Sequence, residues 1–230
     1  MAGLQRCLES KKFTLIVSLP ANDENLAAAA LQEGADALKV HCNVNHPASG
    51  TLFGPLREYE TVFHNIRSQF KGPLGIVPAG SVEGARFKDI ALLAAMGFDY
   101  YSIYAHHLPS FMMNESAMDR TFAISDQYDL NLVKSARRFG FTALEAAIIP
   151  GSEYGTPLSF ADVMKYRYLV ETVQIPVIVP SQRKLVPHDI SVLHDAGVKA
   201  VMLGAVVVGR TVEQMRKAVA DIRNAIDRLT

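Results

Sequence analysis

Short apolar runs recur along the chain, and most of them follow a glycine that ends a helical segment. Four segments share the order helix end, capping glycine, spacer and strand, at residues 33–40, 96–103, 139–146 and 196–203. Further compact apolar strands are expected at 13–19, 73–78, 121–125 and 176–180. Glycine is the usual residue after a helix, and unbroken β-branched runs are typical of parallel strands buried on both faces. The alternation predicts about eight βα units, which is the pattern of a (βα)8 TIM barrel.

A doubly wound parallel sheet is the competing architecture, because it also alternates strands with helices. Before the first strand, Leu4 and Leu8 share one face of residues 1–12, which predicts a short helix that closes the N-terminal end of the barrel. The length of 230 residues suits one barrel, and no linker, charge block or low-complexity segment interrupts it. We therefore expect a single domain over residues 1–230.

Composition narrows the range of partners. Lys plus Arg and Asp plus Glu are equal at 23 each, and no basic run stands out, so no electrostatic footprint for nucleic acid is present. Cys7 and Cys42 show neither metal-ligand nor redox spacing. No signal peptide or long apolar span precedes the first strand. We expect a cytoplasmic protein that binds no membrane and whose partners are small molecules or further copies of the same chain.

The last third of the chain contains the most specific pattern. An apolar run at 200–203 ends at Gly204 and predicts the eighth strand. Thr211 and Gln214 have the spacing of a capping box, so a new helix starts there. Residues 205–209 must then form a separate turn between strand and helix. The free N–H groups of such a turn point outward and suit a phosphate dianion.

This segment resembles the last βα unit of the ribulose-phosphate-binding barrels, a superfamily that includes pentose-phosphate epimerases, orotidine phosphate decarboxylases, tryptophan-pathway barrels and aminosugar-phosphate epimerases. The resemblance implies a phosphate site at Gly204, Val208 and Gly209. It fails at the seventh strand, where such barrels have a glycine-rich turn and this chain has Pro-Ser-Gln-Arg-Lys. Side-chain donors from Ser181 and Arg183 are expected to replace the missing backbone contacts. Alternatively, the anion is a carboxylate or the site is vestigial.

Polar residues alternate along the predicted second strand. Lys39, His41 and Asn43 share one face, which only the mouth of a barrel tolerates. Lys39 is the deepest, and an ammonium withdrawn from water has a lowered pKa that suits a general base or an imine-forming nucleophile. The alternative is a lysine that is simply ion-paired inside the barrel. The long polar loop that follows contains Asn45 and has the character of a binding loop.

The sixth strand carries a single carboxylate, Glu145, between two alanines on the same face. Strands two and six lie on opposite sides of an eight-stranded ring, so Glu145 is expected to face Lys39 across the cavity. Together with His41, the two residues fit a proton transfer in which one group acts as base and the other as acid. A purely structural ion pair is the alternative.

Three other places could contribute to the site. Glu153, in the loop after the sixth strand, is able to reach over the mouth or to stay solvated. Asp126, just past the fifth strand, is either a wall of the site or the cap of a helix at 128–139. Adjacent histidines, His106 and His107, invite a zinc hypothesis, but neighbours on an extended segment point in opposite directions and no third ligand has a diagnostic spacing. We therefore expect no metal.

These residues predict an isomerase or epimerase acting on a phosphorylated sugar or sugar acid. Moving a proton next to a carbonyl needs one base and one acid, so no cofactor is expected. Asn43, Asn45, Asp126 and Glu153 would contact the substrate. Two alternatives remain: a lyase in which Lys39 forms a Schiff base, and a barrel that binds a sugar phosphate without catalysis.

Overall fold

Eight parallel strands close into a ring in the computed structural model, which describes residues 3–114 and 117–230. The first to eighth barrel strands are, in order, Thr14–Ser18, Ala37–His41, Leu74–Val77, Tyr100–Tyr104, Asp119–Ile124, Ala143–Ala146, Val177–Pro180 and Ala200–Leu203. Each strand pairs with its neighbours along the chain, and the eighth returns to the first through Thr14 and Ala200. The predicted (βα)8 barrel is confirmed. A doubly wound sheet is excluded because the ring is closed.

Helices surround this ring. The α-helices of the described residues are Leu4–Ser10, Glu24–Gln32, Glu60–Gln69, Phe87–Ala95, Leu130–Val133, Phe160–Val173, Pro187–Asp195, Ala205–Val208 and Val212–Asp227, with 3-10 turns at Leu56–Glu58, Ala105–His107, Ser110–Asn114, Lys134–Arg138 and Gly151–Glu153. The final helix begins at the predicted capping box, where the Gln214 backbone N–H donates to Thr211 Oγ1 over 3.2 Å. Within the described part of the chain, every helix is too short or too polar to cross a membrane.

Two loops differ from the expected pattern. Residues 128–139, predicted as one helix, form only the short helix Leu130–Val133 and a 3-10 turn. The loop after the second barrel strand forms an antiparallel β-hairpin, in which Val44–His46 pairs with Thr51–Phe53. This pairing satisfies backbone groups that a long irregular loop would leave to solvent. We refer to residues 44–53 as the hairpin.

The N-terminal end of the barrel is closed, as predicted, by the helix Leu4–Ser10. Leu4 and Leu8 are fully buried and pack against the lower interior of the barrel. The apolar cluster that they join comprises Ile16, Ala37, Tyr100, Ala143, Ile178, Ala200 and Met202. Burying a leucine side chain contributes about 1.5–3 kcal/mol, so this helix stabilises the barrel as well as closing it.

Tyr100 fills the interior next to the polar layer. Its ring lies over Gly75, where an added Cβ would come within 2.1 Å of the ring, and its hydroxyl donates to the Leu38 carbonyl over 3.1 Å. Gly75 is the register partner of Lys39 on the neighbouring strand. Only glycine leaves room for the ring here, so a tyrosine fills the interior up to the level at which polar residues begin.

Candidate functional site

A cavity of about 930 Å³ opens at the C-terminal ends of the barrel strands. All eight strands contribute to its lining, through Ser18, Lys39, Val77, Ser102, Ala123, Glu145, Pro180 and Met202. Loops at the same end complete the walls. This is the face on which (βα)8 barrels carry their active sites.

At the floor of the cavity, Lys39 and Glu145 meet across the barrel. Lys39 Nζ lies 2.7 Å from Glu145 Oε2, and the two side chains are only 8% and 5% exposed. Thr121 Oγ1 donates to the other carboxylate oxygen over 3.1 Å. The structure thus brings together the two residues on which the sequence analysis concentrated, while their catalytic roles stay a prediction. Because they are in direct contact, a ligand would lie above the pair rather than between its members.

His41 is buried one interior position above Lys39. Its Nε2 lies 3.3 Å from Ser18 Oγ, and its backbone is held by Asn22, whose Nδ2 donates to the His41 carbonyl over 2.7 Å. Within the described residues, His41 Nδ1 has no hydrogen-bond partner. Burial, and then the nearby charges of His46 and Lys39, lower the pKa of His41 well below its usual value. The imidazole is therefore neutral at pH 7.

The hairpin covers this side of the cavity. The ring of His46 lies 4.6 Å from that of His41, and Phe53 stacks on His41 at 4.7 Å. Burial, followed by the charge of Lys39, lowers the pKa of His46 to about 4. The hairpin is held at two points, because Thr51 Oγ1 donates to a carbonyl after the first strand over 2.9 Å and Arg210 donates to the Ser49 carbonyl.

The two asparagines of this region separate. Asn45 lies on the hairpin and lines the cavity, as predicted for a substrate-binding residue. The predicted position of Asn43 beside Lys39 and His41 is corrected. The second strand ends at His41, and Asn43 adopts a left-handed φ of 52°, so that its side chain donates to the Pro78 carbonyl and borders a separate cavity of about 220 Å³. Side-chain alternation holds only as far as the strand continues.

The predicted phosphate site is smaller than the sequence indicates. Ser181 and Gly204 line the cavity, and the Gly204 N–H donates to Ser181 Oγ over 2.8 Å. The helix Ala205–Val208 follows directly, and the first N–H groups of a helix lack intrahelical acceptors. Val208 and Gly209 are corrected to positions outside the lining. Val208 is fully buried beneath the turn, and Gly209 ends the helix with a φ of 67°.

Arg183 turns away from the cavity. Its Nε and Nη2 donate to the two oxygens of Asp162, over 2.8 and 3.1 Å, and Nη2 also pairs with the Glu153 carboxylate. Neither Arg183 nor Glu153 lines the cavity, which corrects both predicted positions. The seventh strand ends at Pro180, and the chain then bends toward the helix that begins at Phe160. A strand pattern therefore could not predict where Arg183 points.

Asp126 lines the cavity and accepts a hydrogen bond from Gln127 Nε2 over 2.9 Å. Capping, the alternative role considered for Asp126, is performed by Asp129, whose carboxylate accepts the Asn131 N–H over 2.8 Å. Tyr154 also lines the cavity and accepts a hydrogen bond from Gln182 Nε2 over 2.8 Å.

Sequence reasoning missed three polar residues that line the cavity on barrel strands. Ser18 ends the first strand, and Ser102 and Tyr104 alternate at the end of the fourth. The last pair has the spacing of Lys39 and His41 on the second strand, so the same argument applied to every strand end would have found them. Among residues 3–114 and 117–230, no group of three or more histidines, cysteines and carboxylates is placed to hold a metal ion.

Comparison with known proteins supports the fold. No protein-family model and no curated protein matches this sequence. Among solved structures, tryptophan synthase from Mycobacterium tuberculosis aligns over 100% of both chains with 14% identity and a TM-score of 0.76. A mutant tryptophan synthase α-subunit from Pyrococcus furiosus aligns over 92% of this chain and 98% of its own, with 17% identity and a TM-score of 0.72. Thiamine phosphate pyrophosphorylase from Pyrococcus furiosus aligns over 94% and 96%, with 16% identity and a TM-score of 0.66.

Proposed function

We propose that this protein is an enzyme that moves a proton at a carbon next to a carbonyl group of a phosphorylated sugar or sugar acid. The observation that carries the proposal is the Lys39–Glu145 ion pair, which lies at the floor of a largely apolar cavity. Desolvating two charges costs several kcal/mol per ion, and an ion pair is often no more stabilising than apolar side chains of the same volume. A pair placed where a ligand can reach it therefore favours a chemical role.

The chemistry follows from the charges of the pair. The Lys39 ammonium would donate a hydrogen bond to the substrate carbonyl oxygen and stabilise the negative charge that develops there. The Glu145 carboxylate would accept the proton from the neighbouring carbon. The two groups are in contact and approach a ligand from the same side. This arrangement favours an isomerase, which returns the proton on one face, over a two-base epimerase, which needs groups on opposite faces.

His41 would act beside this pair. A neutral imidazole next to the Ser18 hydroxyl can relay a proton to the substrate oxygen without adding a second positive charge near Lys39. The phosphate group would bind at Ser181, Gly204 and the first turn of the helix that follows. The Ser181 hydroxyl accepts from Gly204, so its own hydrogen is available to an anion. Asn45 and Asp126 would contact the sugar hydroxyls.

The test is exchange of a substrate C–H proton with solvent deuterium, followed by proton NMR over a panel of aldose and ketose phosphates. We expect exchange with at least one member of the panel. Lys39→Met and Glu145→Gln should each slow it about 10²–10⁴-fold, the contribution of a general acid or base. Lys184→Met and Glu171→Gln, at exposed positions, are the matched controls and should keep the wild-type rate. No exchange with any sugar phosphate, or exchange that survives both cavity variants, contradicts the proposal.

Borohydride separates this enzyme from a Schiff-base lyase. Reduction in the presence of substrate should leave the protein mass unchanged, because the proposed reaction forms no covalent bond between Lys39 and the substrate. A mass increase on Lys39 would instead identify the lyase. A sugar phosphate that raises the melting temperature but never exchanges a proton would identify a non-catalytic binding protein.

A further inference from the structure

The smaller cavity, of about 220 Å³, has no part in the proposed reaction, and we call it the second cavity. It lies between the ends of the second and third barrel strands and the helices Glu60–Gln69 and Phe87–Ala95 that follow them. His41 lines the large cavity, whereas the next residue, Cys42, lines the second one. Neighbours on an extended segment point to opposite sides, so the two cavities lie on opposite sides of this chain segment.

The inner end of the second cavity is apolar. Cys42, Pro78 and Leu93 are buried there, and Leu56 is half-buried. Burial, followed by the charge of Asp89, raises the pKa of the Cys42 thiol to about 12, so the thiol stays protonated. A protonated cysteine packs like a small apolar side chain. This end of the cavity therefore suits an aliphatic group.

The opening of the second cavity carries charged side chains of both signs. Arg86 and Asp89 pair with each other, and Arg86 Nε lies 3.0 Å from Asp89 Oδ2. Arg57 and Glu60 are exposed, and within the described residues neither side chain forms an ion pair. Residues three apart on one helix would meet, but here a 3-10 turn ends at Glu58 and the α-helix begins at Glu60. One guanidinium and one carboxylate thus border the same opening without partners.

Size and charge together select the class of ligand. The volume of the second cavity is below the roughly 300–1,000 Å³ of sites for drug-sized molecules. It equals the liquid volume of roughly seven water molecules at about 30 Å³ each, which suits a molecule of amino-acid size. A ligand with a single charge would pair with only one of Arg57 and Glu60. A zwitterion with an aliphatic side chain pairs with both and fills the apolar end.

We propose that the second cavity is a binding site for a free amino acid with an aliphatic side chain. Its carboxylate would pair with Arg57, its ammonium group with Glu60, and its side chain would pack against Leu56, Pro78 and Leu93. The inference does not depend on the proposed reaction, because it rests on a different cavity and on different residues.

The bound amino acid would also contact the segment that joins His41 to the hairpin. Asn43 lines the second cavity, and its backbone N–H donates to the Gly54 carbonyl over 2.8 Å. The Asn43 carbonyl accepts from the Gly80 N–H over 3.0 Å. These two hydrogen bonds hold the base of the hairpin, so the second cavity is placed to influence the hairpin from behind.

Isothermal titration with L-leucine as the probe tests the site. Two analogues keep its side chain and lack one charge each: 4-methylpentanoate has no ammonium group, and 3-methylbutylamine has no carboxylate. We expect leucine to bind with a dissociation constant of about 1 mM or lower, and about three- to tenfold more tightly than either analogue. No saturable leucine binding, or an analogue that binds as tightly as leucine, overturns the inference.

Two variants assign the charged contacts. Arg57→Gln should weaken the binding of leucine and 4-methylpentanoate about three- to tenfold and leave 3-methylbutylamine unchanged. Glu60→Gln should weaken leucine and 3-methylbutylamine by a similar factor and leave 4-methylpentanoate unchanged. Arg138→Gln and Glu213→Gln, at exposed positions outside both cavities, are the matched controls and should bind all three compounds as wild type does. Unchanged leucine affinity in both cavity variants contradicts the proposed contacts.

Fluorescence locates the bound leucine. The chain contains no tryptophan, and Leu92 is an exposed residue that lines the second cavity, so Leu92→Trp introduces a single reporter there. Its emission should change with leucine concentration at the dissociation constant found by titration. Lys39→Met, in the large cavity, should leave leucine binding unchanged. A silent reporter, or leucine binding that is lost in Lys39→Met, would mean that leucine occupies another site and overturns the inference. None of these results bears on proton exchange with sugar phosphates.

Discussion

Two ion pairs are buried at the C-terminal end of this barrel, and their surroundings differ. Lys39–Glu145 and Arg183–Asp162 are almost equally excluded from solvent, with side-chain exposures of 8% and 5% for the first and 9% and 3% for the second. The first pair forms the floor of the cavity. The second lies behind the loop that follows the seventh strand, and neither of its members lines the cavity.

The hydrogen bonds around the two pairs show what each does. Arg183 donates to Asp162, Glu153 and Thr156, and Asp162 also accepts from Ser159 at the start of a helix. That network joins two loops and a helix. Within the described residues, Lys39 Nζ has a single hydrogen bond, to Glu145. An ammonium has three hydrogens to donate, so the cavity pair keeps capacity that a ligand can use. Burial alone does not distinguish a structural ion pair from a reactive one, whereas the number of hydrogen-bonding groups that already have a partner does.

The largest expected effect is on the stability that the Arg183–Asp162 pair provides. Asp162→Ala leaves the Arg183 guanidinium buried without its main partner and removes the Asp162 half of the capping box that Ser159 begins at the helix Phe160–Val173. Breaking a buried pair in this way should lower the free energy of unfolding by about 3–5 kcal/mol, measured by urea denaturation. Glu171→Ala, which breaks the exposed pair with Arg167, is the control and should cost less than about 1 kcal/mol. Equal losses of unfolding free energy in the two variants would mean that the buried Arg183–Asp162 pair stabilises the fold no more than the exposed pair does.

Replacing both members of each pair sharpens the comparison. The double variant Lys39→Met with Glu145→Leu should be as stable as wild type or more stable by about 1–4 kcal/mol, because apolar side chains of similar volume avoid the desolvation of two charges. The corresponding double variant of Arg183 and Asp162 should lose stability, since Glu153 and Ser159 would lose their partners. A large loss in the first double variant would assign the cavity pair to stability rather than to chemistry.

At pH 7 the smallest expected effect is that of His46, which changes stability only in acid. The folded pKa of His46, about 4, lies below the ordinary value of 6.5, so the unfolded chain takes up the proton first. Above pH 6.5 His46 leaves the free energy of unfolding unchanged. As the pH falls from 6.5 to 4, His46 lowers the free energy of unfolding by at most about 1.4 kcal/mol per pH unit. Denaturation at several pH values should show a shallower slope in this window for His46→Gln. An unchanged slope would mean that His46 is not desolvated by the hairpin.

The contribution of the Arg183–Asp162 pair to stability depends on pH in a lower range. Burial by itself would raise the pKa of Asp162, but hydrogen bonds from Arg183 and Ser159 outweigh it and hold the pKa below the ordinary value of 3.8. Its contribution to stability is therefore complete at pH values above that figure and is lost as the pH falls through the lowered pKa. The cavity side of the molecule should weaken in mild acid, and the Arg183 network only in stronger acid.

The same two ion pairs show how much of the site could be predicted from the sequence. Lys39 and Glu145 lie within regular strands, so alternation and the closed ring were enough to predict that they face each other. Arg183 lies three residues past its strand, and its partner Asp162 belongs to a helix that precedes the strand. No periodicity connects those two positions. Asn43 was misplaced for a related reason, because a left-handed backbone residue ends the alternation.

The hairpin was beyond prediction for another reason. Its two strands are three residues each, and they pair within a loop whose glycines and polar residues are equally typical of an irregular segment. Its position is fixed by side chains from distant parts of the chain, among them Arg210. Short strands of this kind are determined by tertiary contacts rather than by local propensity.

The helix Leu4–Ser10 closes the N-terminal end of the barrel, so the floor of the cavity is reached from the C-terminal ends of the strands. A molecule that binds over Lys39 and Glu145 enters and leaves at that end of the barrel. While one molecule covers Lys39 and Glu145, a second molecule cannot contact the same two side chains. The rate at which the bound molecule dissociates therefore limits how often the floor of the cavity can bind a new one.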